Sequence, residues 1–302
     1  MTAWTRRERR AGGGAAVVVV LLLLIGVVSY YFTGARLNSG IRSLIPDPPG
    51  GAASSGLGGL ASMIQDFTSQ LALYLPGVHV GEDNVTSNWA GYVAMAERES
   101  ATYVNGTWTV PTLTCTSTSR TGVLFWVGLG GISPLPLEQI GTTAFCLNGQ
   151  AVYDSWYEAV PSENHIIILN QTNVSPGERV VASLNYSNST NRFTYQIGVA
   201  GQAPETFSQT YANVTAPMSA EWVVEAPFTP FGAVPMANFG SVSFQGSATL
   251  GGQTGGPAVF TKSTSAYVLR SSYLCNDHSD KAIPGKLLDS GGFDVTWENG
   301  NC

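Results

Sequence analysis

The chain has 302 residues, of which 44% are hydrophobic and 11% charged, so it has the composition of a folded protein and the length of one large domain with attached segments. The formal net charge of −6 divides into +3 over residues 1–35 and −9 over the remainder, which leaves no basic patch that would bind nucleic acid. The few charges and the 35 glycines favour a turn-rich β protein over a helical one.

The first predicted element is a membrane helix. Residues 1–14 form a basic cytoplasmic tail with four arginines, and residues 15–32 follow as an apolar run. This run reaches the lower length limit of a transmembrane helix and is longer than an ordinary signal-peptide core, which favours an uncleaved signal anchor over a cleaved signal peptide ending near 33–35. In both cases the rest of the chain is exported, either anchored to the membrane outside the cytoplasm or secreted.

Residues 33–80 are predicted to form a linker or pro-segment with one short helix. Proline and glycine are frequent in this stretch, as in 46–51 and 54–59. Apolar residues recur there at the helical spacing of three and four, at Leu57, Leu60, Ile64, Phe67, Leu71 and Tyr74. A stalk helix, a removable pro-segment and a helix packed on the domain or the membrane surface all fit this pattern.

From residue 81 to residue 302 the pattern changes to that of an all-β domain. Short runs of β-branched and aromatic residues alternate with Gly, Asn, Ser and Pro, as in 107–110, 123–127, 151–157, 180–184 and 293–297. Strands of this length and spacing predict an antiparallel β-sandwich of the jelly-roll or concanavalin-like type. We therefore expect one β-sandwich domain over 81–302, monomeric and without a long internal repeat.

The four cysteines are expected to form disulfides, because the chain is exported and none of them belongs to a CxxC pair. The simplest pairing joins Cys115 to Cys146 and Cys275 to Cys302, although three pairings are formally possible.

Motifs of the common hydrolases are absent from the sequence. His79, His165 and His278 have no neighbouring partner residues that suggest catalysis, and GxSxG, HExxH and glycine-rich phosphate loops do not occur. No metal and no cofactor are therefore expected. What is unusual is a set of carboxylates within aromatic strands, at Trp156-Tyr157-Glu158 and at Glu221–Glu225. A carboxyl group against aromatic walls has a raised pKa and is able to exchange protons in the acid range.

Six segments, in order, resemble the glutamic peptidases, the eqolisin family. They are Ser87–Gly91, Gly106–Pro111, Phe125–Gly128, Leu137–Gly141 with Phe145-Cys146, Tyr153–Glu158 and Ala220–Glu225. The resemblance implies a β-sandwich that hydrolyses protein or peptide substrates in acid.

By position, the resemblance makes Gln139 and Glu225 the catalytic pair and places Trp89, Trp126, Trp156 and Glu158 along the substrate cleft. Glu221 is the rival for the glutamate role, but the family's catalytic residue follows the apolar pair, which selects Glu225. The chain departs from fungal members at Gly130, Thr143 and Ala226, where they have acids.

The expected mechanism uses Glu225 as general base on water and then as general acid on the departing amine, while the Gln139 amide stabilises the oxyanion. Two other functions also fit a β-sandwich with exposed aromatics and acids. One is a glycoside hydrolase that uses Glu158 and Glu225 as its carboxyl pair, and the other is a noncatalytic module that binds carbohydrate or peptide.

Overall fold

The computed structural model of the chain describes residues 85–300 apart from short gaps at 87, 97–99, 133–135, 161, 212–214, 230–231, 261–263 and 271–278. The tail, helix and linker predicted for residues 1–14, 15–32 and 33–80 lie outside the described residues. Within the described part, no helix has the length and hydropathy needed to cross a membrane.

The described residues form β-strands nearly throughout. The first nine strands are β1 (Val85–Thr86), β2 (Trp89–Met95), β3 (Ala101–Thr109), β4 (Arg120–Gly130), β5 (Leu137–Leu147), β6 (Gln150–Val160), β7 (Glu163–Ile168), β8 (Arg179–Ser187) and β9 (Arg192–Val199). The others are β10 (Glu205–Thr210), β11 (Ser219–Glu225), β12 (Phe228–Thr229), β13 (Gly232–Ala233), β14 (Ser241–Leu250), β15 (Gln253–Gly255), β16 (Thr264–Arg270), β17 (Asp280–Pro284) and β18 (Gly292–Trp297). A 3-10 helix spans Pro257–Phe260. The all-β prediction is therefore confirmed over the described residues.

The strands form two packed layers. One layer has the order β10-β9-β8-β3-β14-β18-β17, and the other has the order β2-β11-β4-β5-β6-β7. Strand β16 lies between β17 and β2, so the hydrogen-bonded path is continuous. The pairs within both layers are antiparallel, and only the short β1 runs parallel to its neighbour β16. Strand β16 belongs to both layers, since Thr264–Tyr267 pair with β2 whereas Leu269 and Arg270 pair with β17. This arrangement confirms the predicted antiparallel sandwich.

Trp222, on β11, packs at the centre of the core between the layers. Its indole Nε1 donates a hydrogen bond of 2.7 Å to the carbonyl oxygen of Asn105 in the facing layer. Gly246 and Gly106 provide the space for this ring, because a Cβ at Gly246 would lie 2.2 Å from the indole nitrogen. The main core thus faces one side of β11, and Glu221 and Glu225 point to the opposite side by strand alternation.

A second apolar cluster covers that opposite side of the β2-β11-β4-β5-β6 sheet. Its buried members are Trp89, Leu124, Trp126, Leu137, Trp156 and Val223. The central strands of this sheet therefore bury both faces, which explains why β4 and β5 are almost continuously buried. We call the surface that carries the second cluster the tryptophan face.

A disulfide joins Cys115, in the loop after β3, to Cys146 on β5, with 5.5 Å between their Cα atoms. The first predicted pairing is therefore confirmed. Cys275 and Cys302 lie outside the described residues.

Candidate active site

Three parallel rows of residues cross the tryptophan face, and strand pairing defines each of them. The first, which we call the glutamine row, runs Val93, Glu221, Gly128, Gln139, Glu158 from β2 to β6. The next, the tryptophan row, runs Gly91, Val223, Trp126, Gly141, Trp156. The third, the glutamate row, runs Trp89, Glu225, Leu124, Thr143, Asp154. All six residues proposed for the site from the sequence therefore share one face of one sheet.

Gln139 lies in the middle of β5 and is 3% exposed. Its Nε2 donates a hydrogen bond of 3.0 Å to Oε2 of Glu158 on β6. Its Oε1 is buried and has no hydrogen-bond partner. Since an amide nitrogen carries two hydrogens and an amide oxygen two lone pairs, Gln139 has spare capacity both to donate and to accept.

Glu225 ends β11 and is partly exposed, with a donor on each carboxyl oxygen. The Asn88 side-chain amide donates to Oε1 and the Trp126 indole to Oε2, both at 2.8 Å. Burial raises the pKa of Glu225 to about 7, although the hydrogen bonds from Trp126 and Asn88 and the nearby Trp89 indole lower it. The carboxyl is therefore fixed in orientation and carries a proton through the acid range.

Trp126 lies between Gln139 and Glu225. The two residues are two strands apart and four residues apart along the strands, and no hydrogen bond joins them directly. The Trp126 indole bonds to Glu225 at one end, and its far end lies beside Gly128, the residue paired with Gln139. The space over Gly128 and Gly141 leaves room for this large ring, since a Cβ on Gly141 would lie 2.6 Å from the Trp126 Cβ.

Two other tryptophans enclose the site. Trp89 packs edge-on against Trp126 with 5.0 Å between ring centroids, and Trp156 lies across Gly141 from Trp126. Both are buried; the Trp156 indole nitrogen lacks a hydrogen-bond partner, whereas the Trp89 indole interacts with the Glu225 carboxyl. Buried donors without partners are uncommon in proteins, so they mark a place where a polar ligand or water is favoured.

Glu221, the rival for the glutamate role, is fully buried. Burial raises its pKa well above the ordinary value, and the Ser219 hydroxyl lowers it by less. Neither carboxyl oxygen has a hydrogen-bond partner, and Oε2 would lie 3.2 Å from a Cβ placed on Gly128. The structure thus distinguishes two glutamates on β11, one partly exposed and held by two donors, the other sealed.

Asn88 is the site residue that sequence reasoning missed. It stands next to Trp89 in the segment that resembles the family's opening strand, but nothing in its sequence context shows that its amide reaches a residue 137 positions away. Gly130, where fungal members carry an acid, has φ +91° and would place a Cβ 1.9 Å from the Pro136 carbonyl oxygen. A side chain is excluded there in this backbone conformation, so that acid has no equivalent in this chain.

A sandwich with a glutamine and a glutamate among tryptophans on one sheet is the arrangement expected of a glutamic peptidase. The chain belongs to the peptidase A4 family, whose sequence model matches residues 87–276. Aspergillopepsin-2 of Aspergillus niger is 29% identical over 198 residues, which cover 58% of this chain and 69% of that protein. The chain is accordingly a peptide hydrolase.

Solved structures of similar fold include glutamic peptidases. Scytalido-glutamic peptidase, crystallised with a transition-state analogue inhibitor, is 19% identical, with a TM-score of 0.56 over 70% of this chain and 98% of that one. SCP-B, a member of the eqolisin family in complex with the tripeptide Ala-Ile-His, is 18% identical, with a TM-score of 0.54 and the same coverage of both chains. At this identity the likeness concerns the fold.

Proposed function

We propose that the chain is an acid-acting endopeptidase in which Gln139 and Glu225 act together on one water and one peptide bond. The observation that carries the proposal is the pair of donors on Glu225, Asn88 and Trp126, which hold its carboxyl on the same face as the unsatisfied amide oxygen of Gln139. The water and the scissile amide would bind on this face, within reach of both side chains.

The pKa of Glu225 decides the order of its two roles. With a pKa of about 7, the carboxyl is neutral through the acid range, so the protonated form starts the reaction. The sequence-based mechanism began with the ionised form, and the pKa favours the reverse order. Activity would be present in acid and would be lost as pH rises through about 7, because the starting form then disappears.

The proposed steps balance as follows. Glu225 donates its proton to the peptide carbonyl oxygen while the water oxygen bonds to the carbonyl carbon. The Glu225 carboxylate then takes a proton from the added water and passes it to the amide nitrogen, and the C–N bond breaks. The acid product returns a proton to Glu225, so one water is consumed and the enzyme is restored.

Gln139 supplies groups that do not titrate. Its Oε1 would accept a hydrogen bond from the attacking water, and the N–H that does not bond Glu158 would donate to the carbonyl oxygen as negative charge develops there. Glu158 would hold the amide in this orientation, and Trp89, Trp126 and Trp156 would form the walls that position the substrate.

The partly exposed Glu225 fits the catalytic role better than the sealed Glu221. A residue that exchanges protons with substrate must be reachable, and Glu221 is fully buried. The glycoside hydrolase alternative is less favoured because the chain belongs to a peptidase family.

We also propose that the domain works as a monomer outside the cytoplasm, anchored by residues 15–32 or secreted. The disulfide between Cys115 and Cys146 supports export, because such bonds persist in oxidising compartments.

Digestion of an unfolded protein substrate, from about pH 2 to about pH 8 with a chelator and a serine-protease inhibitor present, tests the function. We expect Glu225→Gln and Gln139→Ala to reduce kcat at least about 100-fold, since each removes a group that acts on the reacting atoms. Glu178→Gln and Gln245→Ala change residues of the same types outside the tryptophan face, the first partly exposed and the second exposed, and should leave kcat unchanged. Full activity of Glu225→Gln would refute the dyad.

A further inference from the structure

Glu221 is a buried acid on the tryptophan face that the proposed reaction does not use. It lies in the glutamine row with Gln139, and only Gly128 stands between them. Two strand spacings separate their Cα atoms, about 10 Å, a span that two side chains of this length cover when they point toward each other. Gly128 has no side chain to block the way, and the Glu221 Oε2 already lies over it, 3.2 Å from where a Cβ would stand.

The two residues share a hydrogen-bonding deficit. Gln139 Oε1 and both carboxyl oxygens of Glu221 are buried without partners, and all three are acceptors when Glu221 is ionised. Buried acceptors that lack a well-placed donor are unfavourable, and the Ser219 hydroxyl is the group that interacts with the Glu221 carboxyl. One proton changes this, because a neutral carboxyl has an O–H that donates, and the nearest row member with a free acceptor is Gln139.

We propose that Glu221 is a positioning residue whose neutral carboxyl donates its O–H to Gln139 Oε1, directly or through one water, and thereby holds the amide with Nε2 toward Glu158. Its burial favours the neutral form, in keeping with a raised pKa. Gln139 Oε1 has a second lone pair, which stays available for the attacking water. The catalytic consequence rests on the proposed function, whereas the contact itself does not.

The other titratable groups on this face also favour the neutral form of Glu221. Among the described residues of the three rows they are Glu225 on β11 and Glu158 and Asp154 on β6, whereas β2, β4 and β5 contribute no titratable residue to these rows. All three groups are acids, so none offers Glu221 a positive partner that would ionise it. If Glu221 did ionise, it would attract the Gln139 amide nitrogen, turn the amide over and break the bond to Glu158.

A double-mutant cycle in thermal unfolding at about pH 4 tests the contact without requiring activity. Glu221→Leu leaves Gln139 Oε1 without its donor. In the Gln139→Leu background the amide oxygen is already absent, so Glu221→Leu breaks no hydrogen bond there. We expect Glu221→Leu to lower Tm by about 2 to 4 °C more in the wild-type background than in the Gln139→Leu background. Equal shifts in the two backgrounds would overturn the proposal.

Steady-state kinetics test the positioning role. We expect Glu221→Leu to lower kcat about 10- to 100-fold with little change in KM, and Glu221→Gln to restore kcat to within about 3-fold, because its amide N–H₂ replaces the carboxyl donor. Glu138→Gln is the matched control, since Glu138 is also a buried acid on β5 but faces the opposite side and accepts from the Tyr195 hydroxyl. It should leave kcat unchanged.

The Tm measurements and the kinetics together distinguish a failure of the proposed contact from a failure of the proposed function. An inactive wild type with an intact coupling in Tm would refute the proposed function and keep the contact. An inactive Glu221→Gln combined with an active Glu225→Gln would overturn the positioning role, because Glu221 would then be the catalytic glutamate.

Discussion

At the scale of single residues, the site depends on which atoms face Glu225. A buried carboxyl alone would have a strongly raised pKa, and two directed N–H donors lower it, which leaves a value of about 7. Trp126 therefore has two effects at once, since its ring packs beside Gly128 and its Nε1–H tunes the acid. The tuning is separable from the packing, because phenylalanine keeps a ring and loses the donor.

Trp126→Phe should raise the pKa of Glu225 above about 7, because it removes the hydrogen bond that lowers this pKa the most. Since the protonated form starts the proposed reaction, the loss of activity on the alkaline side should move to higher pH, and kcat should fall about 10-fold as the carboxyl loses its orientation. The pH dependence of kcat measures both effects.

Trp108→Phe is the control for this prediction. The Trp108 indole is equally buried, but it bonds Thr142 on the side of the sheet that faces the core. It should lower stability without moving the pH profile. If both variants shift the profile alike, the effect comes from packing and not from the hydrogen bond to Glu225.

At the scale of elements, the three rows show what the sequence predicts and what it leaves open. Alternation along β11 correctly put Glu221 and Glu225 on the face opposite Trp222, and the β-branched runs correctly marked strands. Alternation gives only the face, however, whereas the partner across a strand depends on register. That Glu221, and not Glu225, shares a row with Gln139 follows from the pairing of β11 with β4 and of β4 with β5.

Asn88 illustrates the same limit. Its donor role depends on how β2 enters the sheet beside β11, a long-range contact with no local pattern. The six ordered segments identified the family and therefore the site strands, but the buried, unpaired state of Gln139 Oε1 and Glu221 depends on packing from several strands at once. Such packing is not encoded in any single segment.

Two glycines on this sheet should respond differently to alanine. In Gly141→Ala the new Cβ would lie 2.1 Å from the Phe125 carbonyl oxygen, a backbone atom that moves only if β4 and β5 separate. In Gly128→Ala the closest atom, at 2.7 Å, belongs to the Trp126 side chain, and the nearest backbone atom, the Glu138 carbonyl oxygen, is 3.1 Å away. We expect Gly141→Ala to cost about 3 kcal/mol of unfolding free energy and Gly128→Ala about 1 kcal/mol.

The effect of Gly128→Ala on kcat should be larger than its small effect on stability. Gly128→Ala displaces Trp126 and Glu221 together, so the folded variant should lose at least about 10-fold in kcat. Gly285→Ala is the control, because its Cβ would make only ordinary contacts, the nearest at 3.4 Å. Denaturant unfolding and kcat per folded molecule measure the two properties separately. A fully active, stable Gly141→Ala would contradict the close approach of β4 and β5.

At the scale of the whole molecule, the fold is suited to acid. Residues 36–302 carry a formal charge of −9 at neutral pH, and protonation of surface carboxylates in acid reduces this self-repulsion. The two glutamates of β11 act in the same direction, because Glu225 and Glu221 bind their protons more tightly in the folded state than in the unfolded chain. Most proteins lose stability in acid because their paired carboxylates must protonate, whereas here the protonation of Glu221 and Glu225 stabilises the folded state.

Stability should therefore fall between about pH 4.5 and pH 7. The pKa of Glu225 rises from 4.5 to about 7 on folding, so its stabilising contribution is complete below about pH 4.5 and is lost as pH rises to about 7. The loss is on the order of 3 kcal/mol, which corresponds to a drop in Tm of about 10 °C for a domain of this size. Tm measured against pH should show this slope in the wild type, and Glu225→Gln, which cannot ionise, should reduce it to the part that Glu221 contributes. Glu178→Gln, at a partly exposed position outside the site, should keep the slope. A Tm maximum near neutral pH in the wild type would show that Glu225 ionises freely in the folded protein.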